Sequence, residues 1–144
     1  MLRILVLLAT MCAAGAATAQ PLDVDRIAQD AAARAEAIYR RGGIVGLRDA
    51  VDGCLDRASK GRTARAATTC AAMGWTMVYL DLLAIDALHV PATIDVERTS
   101  LRIAAAIKAA GLPAGEAARL RPFVVQFVGS GSVQPAAGRS VGKS

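Results

Sequence analysis

The chain has 144 residues, with 17 basic and 12 acidic side chains and a formal net charge of +5. Hydrophobic residues make up 54% of it and aromatic residues only 3%, while Ala occurs 32 times and Asn is absent. This length indicates one domain, and the apolar content excludes a mostly disordered chain. The abundance of Ala favours helices over sheets, and the lack of Asn excludes N-linked glycosylation.

The segment 1–19 is predicted to be a secretory signal peptide. Arg3 supplies the positive start, an apolar stretch follows, and Ala17-Thr18-Ala19 forms a small-x-small cleavage site. The apolar stretch is shorter than the roughly 20 residues that a membrane-spanning helix needs, so we expect cleavage after Ala19 and no remaining anchor.

Lipidation at Cys12 is the alternative fate of this segment. Met11 is a poor match to the small residue that precedes the cysteine of a bacterial lipoprotein signal, so we favour cleavage. The bias toward Ala and Arg is typical of a GC-rich bacterial genome. Together with the signal peptide, it predicts a periplasmic or secreted protein.

Cys54 and Cys70 are predicted to form a structural disulfide, since a lone cysteine pair in an oxidising compartment usually does so. The helical patterns stop near Ser59 and resume near Thr63, and the two cysteines are equidistant from this turn. Residues equidistant from the turn of an antiparallel helical hairpin lie at the same height, so their side chains face each other. No Cys-x-x-Cys motif favours a redox-active pair.

Hydrophobic periodicity predicts an all-α protein, a small bundle of four main helices plus a short C-terminal helical pair, with the central hairpin closed by the disulfide. The main helices are expected at about 24–41, 44–58, 64–88 and 95–110. The pair is expected at 114–120 and again from Pro122. The domain then spans 20–128, and 129–144 is predicted to be a flexible tail.

The third of these helices is apolar nearly all round, which is typical of a helix at the centre of a bundle or in a membrane. Asp81 and Asp86 interrupt it, and each carboxylate would cost about 3 kcal/mol near a bilayer centre. We therefore expect no transmembrane span. On the fourth helix, the apolar side is expected to consist of Leu101, Ile103, Ala104 and Ile107.

Asp49, Asp52 and Asp56 fall on one face of the second helix. They indicate either a cation site or an ordinary solvated face. We favour the solvated face, with Arg48–Asp52 and Asp56–Lys60 as neutralising pairs four residues apart.

Catalytic and cofactor motifs are not found in the sequence. His89 is the only histidine, and no set of His, Cys and carboxylates has metal-ligand spacing, so no metal or cofactor is expected. An enzyme using Asp81, Asp86 and His89 is the weakest hypothesis, because no nucleophile stands at a recognisable spacing. We favour a role for His89 in a local pair or at the helix end.

Two groups of residues remain as candidate binding sites. Four basic residues lie between positions 57 and 65 with no acidic residue among them: Arg57, Lys60, Arg62 and Arg65. They form a basic tip on the disulfide-closed hairpin, which could bind an acidic envelope protein or another anionic surface. Four large side chains of the third helix are candidates to line an apolar pocket: Met73, Trp75, Met77 and Tyr79.

The sequence thus predicts a secreted, non-enzymatic binding or interaction protein of unknown partner. The alternative is a carrier of a small apolar ligand or lipid, with its pocket between helices. Nucleic acid is the least expected partner, because aromatic stacking residues are few and no binding motif is found.

Overall fold

The first helix begins at Asp23, whose carboxylate accepts a hydrogen bond from the backbone N–H of Arg26 at 3.1 Å. This cap satisfies an amide that the first helical turn leaves unpaired. Helix α1 (Val24–Ala58) follows. The computed structural model describes residues 22–61 and 63–127. The predicted signal peptide, Cys12, Arg62 and the predicted tail lie outside the described residues.

Gly43 divides α1 into a first arm, residues 24–42, and a second arm, residues 44–58. Its φ of 63° and ψ of −164° lie in a region that is open almost only to glycine. Arg34 of the first arm and Arg57 of the second arm line the same groove, whereas a straight helix would hold them about 35 Å apart. The two arms therefore fold toward each other, and the sequence was right to place a break at Gly42-Gly43.

Helix α2 (Ala64–Leu88) is the central helix and packs against all three of the others. The hydroxyl oxygen of Thr63 caps it by accepting a hydrogen bond from the Ala66 N–H at 3.3 Å. Most of its residues as far as Asp81 are buried. The helix ends at His89, which adopts the left-handed conformation and donates its N–H to the Ile85 carbonyl at 2.9 Å. His89 is thus a helix-end cap, one of the two local roles expected for it.

By length and composition, α2 is the one helix in the described part of the chain that is apolar enough to cross a membrane. It is packed as a core helix, since 56% of its apolar window is buried inside the bundle. Asp81 within it is only 5% exposed. Its carboxylate accepts hydrogen bonds from the backbone N–H groups of Thr93 at 3.0 Å and Ile94 at 2.9 Å, which satisfies the buried charge and ties the loop before α3 to α2.

Helix α3 (Val96–Ala109) packs closely on α2. A Cβ added to Gly74 of α2 would stand 2.9 Å from Cδ1 of Ile103, so the missing side chain allows the close approach. Ile103 and Ile107 are fully buried, as predicted. The prediction was wrong for Leu101, which is 65% exposed, and for Ala104, which is also exposed. Fewer positions of α3 face the core than the predicted apolar side contained.

Helix α4 (Gly115–Phe127) closes the bundle. The prediction of two short helices here was wrong, since one helix runs through Pro122. Proline removes one backbone donor, and the buried side chains of Leu120 and Val124 on either side hold the helix against the core. The all-α bundle itself is confirmed.

Candidate functional site at the hairpin tip

The predicted disulfide is present and joins Cys54 of the second arm to Cys70 of α2, with the two Cα atoms 5.5 Å apart. A tight turn connects the helices, in which the Lys60 N–H donates to the Arg57 carbonyl at 3.3 Å and the Gly61 N–H to the Ala58 carbonyl at 3.2 Å. We call residues 57–65 the hairpin tip. An intramolecular disulfide is consistent with a periplasmic or extracellular location, where disulfides persist.

A groove of about 420 Å³ opens beside this disulfide. Three helical segments each contribute one arginine to its lining: Arg34 from the first arm of α1, Arg57 from the second arm and Arg65 from α2. The other described lining residues are uncharged, namely Cys54, Ala58, Thr63, Ala66, Thr69 and Cys70. We call this feature the arginine groove.

The charges of the arginine groove are not balanced within the described part of the chain. None of the described lining residues is acidic, and no described carboxylate lies within 4.0 Å of a side-chain nitrogen of Arg34, Arg57 or Arg65. Four other described arginines pair with carboxylates, and four do not: Arg40 pairs with Glu36, Arg48 with Asp49, Arg102 with Asp52 and Asp56, and Arg119 with Glu116. The groove is distinguished by three arginines without a described partner that line the same space.

Arg65 is placed against the electrostatic preference of its helix. It lies in the first turn of α2, where the helix dipole favours anions, and that turn contains no acidic residue. The first turns of α1, α3 and α4 contain Asp25, Glu97 and Glu116, respectively. The positive potential of the α2 N-terminus therefore adds to that of the three guanidiniums.

Arg57, Thr63 and Thr69 make their described contacts within their own helical segments. The Arg57 side chain lies back along α1, with Nη1 3.3 Å from where a Cβ on Gly53 would be. Because the Thr63 oxygen accepts the Ala66 N–H, the Thr63 hydroxyl proton remains available to donate. The Thr69 hydroxyl donates to the Arg65 carbonyl at 2.9 Å.

The structure brings two of the four predicted basic-tip residues, Arg57 and Arg65, to the groove. Lys60 is exposed in the turn between the helices, and Arg62 lies outside the described residues. Arg34 was missed, because the prediction considered only neighbours along the chain. The same equal-height argument that paired the cysteines, applied about Gly43, places Arg34 level with Asp52, two residues before Cys54.

The residues predicted to line an apolar pocket lie on α2. Met73 and Met77 are 2% and 1% exposed, and Trp75 is 8% exposed. The Trp75 Nε1–H donates to the Ala117 carbonyl of α4 at 3.1 Å, and the Arg121 guanidinium lies 5.4 Å from the centre of its ring. Tyr79 is partly buried against the core.

Met77 also lines a smaller cavity of about 140 Å³ between α1, α2 and α3. The other residues of that cavity are mostly polar or charged, among them Arg48, Asp52, Thr99 and Arg102. Its lining therefore resembles a hydrated gap between helices more than an apolar binding site.

The acidic face of the second arm is neutralised by a residue that the sequence did not single out. Arg102 of α3 bonds to the Asp52 carboxylate, to the Asp52 backbone carbonyl at 3.0 Å and to Asp56 at 2.7 Å. Arg48 contacts Asp49 at 3.8 Å instead of the predicted Asp52. We call Arg102, Asp52 and Asp56 the Arg102 network.

Two opposing effects act on Arg102. Burial by itself lowers the pKa of its guanidinium, but the hydrogen bonds and charges of Asp56 and Asp52 outweigh burial, and the net pKa is raised. The charged form is therefore stabilised, and the acidic face is an interhelical contact in the bundle.

Asp81, Asp86 and His89, the residues of the enzyme hypothesis, lie in different surroundings. Asp81 holds the loop before α3, whereas Asp86 and His89 are exposed at the end of α2. Within residues 22–61 and 63–127, no three His, Cys, Asp or Glu residues are grouped as metal ligands would be.

No protein-family model matches this chain, and no curated protein or solved structure is significantly similar to it. The functional argument therefore depends on the chain's own residues.

Proposed function

We propose that this is a secreted, periplasmic, non-enzymatic binding protein whose hairpin tip binds an acidic protein partner. The observation that carries the proposal is that Arg57 and Arg65 line one groove in which no described residue is acidic, and that neither has a described carboxylate within 4.0 Å. Uncompensated like charges destabilise a folded protein, so their grouping at one end of a stapled hairpin is better explained by a ligand than by folding.

The secretory route is part of the proposal. It rests on the signal-like segment with cleavage after Ala19, which we favour over lipidation at Cys12, and it agrees with the Cys54–Cys70 disulfide. Sequencing the N-terminus of the envelope form tests it: a start at Gln20 supports cleavage, and a lipid-modified Cys12 contradicts it.

Site-specific photo-crosslinking in the source cell tests the interaction. A photoreactive residue is placed at Lys60 in the tip and, as a matched control, at Glu97, which is exposed on α3. We expect discrete protein adducts from position 60 only, and their loss when Arg57 and Arg65 are both changed to Glu. Equal adducts from both positions, or adducts that survive the charge reversal, would contradict the proposal.

The alternative function, a carrier of a small apolar ligand or lipid, needs α2 to separate from its neighbours, because Met73, Trp75 and Met77 are packed in the core. Native mass spectrometry of the purified protein distinguishes the two functions. A retained lipid or small molecule, together with no tip-specific adduct, would favour the carrier.

A further inference from the structure

The arginine groove has a shape and charge that select for one class of ligand. Its three arginines come from three different helical segments and line an open space of about 420 Å³. A guanidinium is planar and presents paired N–H donors that match a carboxylate or a phosphate. The groove is therefore built for a ligand with several anionic groups that reach different walls.

We propose that the arginine groove binds the carboxylates of an acidic peptide segment, and that Arg34 is a binding residue together with Arg57 and Arg65. This inference rests on the proposed function, which it makes more specific. It adds the first arm of α1 to the binding site and places the contact beside the disulfide as well as at the turn.

The size of the groove favours a peptide segment over an isolated inorganic anion. A phosphate ion fills the space of only a few water molecules, each of which takes about 30 Å³ in the liquid. In an open groove of about 420 Å³ the ion would contact only part of the lining, and water would occupy the remaining space. Acidic side chains carried on a backbone fill such a space, and Ala58, Ala66 and the disulfide give their methylene groups an uncharged surface.

The distribution of exposed apolar side chains favours a protein over a membrane surface. Peripheral membrane binding combines basic residues with large apolar side chains that enter the bilayer. The exposed large apolar residues of the described chain lie elsewhere: Val45, Leu82, Leu88, Val90, Val96, Leu101 and Val125. None of them lines the groove. No described lining residue is aromatic, which disfavours stacking on nucleic-acid bases.

The disulfide keeps the groove in its binding shape. Cys54 and Cys70 lie in the groove lining and join the two helices that carry Arg57 and Arg65. A site that is fixed before binding loses less conformational entropy when the ligand arrives.

Fluorescence anisotropy with labelled hexaglutamate, on the purified disulfide-bonded protein, tests the inference. The variants are Arg34→Gln and, as a matched control with the same loss of charge, Arg41→Gln, which is exposed on the same arm. We expect saturable binding that Arg34→Gln weakens about tenfold, as the loss of a charge-assisted hydrogen bond implies, while Arg41→Gln changes it less than about twofold.

Two further probes separate the possible ligands. Inorganic phosphate should compete only at concentrations far above that of hexaglutamate, and vesicles of phosphatidylglycerol and phosphatidylcholine should not retain the protein. Equal loss of affinity in Arg34→Gln and Arg41→Gln, or tighter binding to the vesicles, overturns the inference.

The proposed function and this inference fail in distinguishable ways. If Lys60→Glu weakens hexaglutamate binding and Arg34→Gln does not, the tip binds acidic partners but the groove does not. If the unmodified protein does not bind hexaglutamate at all, both the groove and an acidic partner for the tip are contradicted.

Discussion

The hairpin tip and the Arg102 network both join α1 to a second helix, and they use the second arm of α1 in opposite ways. In the network, Arg102 crosses from α3 to two carboxylates one turn apart on α1. At the tip, Arg57 and Arg65 face one groove with no carboxylate among its described residues, and a covalent bond connects the helices. The two regions differ in that Arg102 has carboxylate partners within the bundle, whereas three arginines without a described partner line one groove.

The largest effect is expected from removing the covalent connection. Cys54→Ser with Cys70→Ser should lower the free energy of unfolding by about 3 kcal/mol, because the open chain gains entropy in the unfolded state. Urea unfolding followed by circular dichroism measures it. Reducing the unmodified protein should give the same loss, and an unchanged free energy of unfolding would show that packing alone holds the tip.

The same variant should loosen the two regions unequally. Amide hydrogen exchange is expected to speed up most at residues 57–66, while the residues around Asp52 and Arg102 keep their protection because their contact does not depend on the disulfide. Uniform acceleration across α1 would show that the regions are not independent.

A smaller loss is expected from the Arg102 network. Arg102→Met keeps the apolar stem but leaves Asp52 and Asp56 to repel each other, which should cost about 1 kcal/mol since these carboxylates are partly solvated. Arg98→Met, one turn earlier on α3 and exposed, is the matched control and should change stability little. Equal effects in both variants would mean that the network contributes only ordinary surface contacts.

Removing an arginine from the arginine groove should raise the stability of the protein, whereas removing Arg102 should lower it. Arg34→Gln removes one of several like charges, so the unliganded protein should gain up to about 0.5 kcal/mol of stability while it loses affinity for hexaglutamate. Thermal unfolding measures the first quantity and anisotropy the second. A loss of stability would indicate that Arg34 has a structural partner, as Arg102 does, and that the two regions do not differ in this way.

The smallest expected effect is the dependence of these changes on salt. Raising the ionic strength from about 0.1 M to about 1 M shortens the Debye length from about 10 Å to about 3 Å. Arg102→Met should therefore lower the free energy of unfolding by less at the higher ionic strength, and Arg34→Gln should raise it by less. Urea unfolding of both variants at the two ionic strengths checks this, and two changes of the same sign would contradict the opposition of the two regions.

Much of the fold was predictable because its signals are local. The break at Gly42-Gly43 and the extent of α2 follow from residues within a few positions of each other. The disulfide was also predictable, because the short turn fixes which residues of the hairpin face each other.

The errors occurred where a distant part of the chain decided the outcome. Leu101 was placed inside by its apolar character, but the close contact of Ile103 with Gly74 sets the rotation of α3 and turns Leu101 outward. Pro122 predicted a new helix, but the burial of Leu120 and Val124 against the core keeps α4 continuous.

The sequence by itself determined an all-helical bundle, the staple between Cys54 and Cys70 and a basic turn, because each depends on periodicity, capping and spacing along one stretch of chain. Only the tertiary structure decided that Asp52 and Asp56 are neutralised by Arg102 and that Arg34 joins Arg57 and Arg65 in one groove. The physical reason is that charge interactions depend on distance in space, and the reversal of α1 at Gly43 and the packing of α3 set those distances.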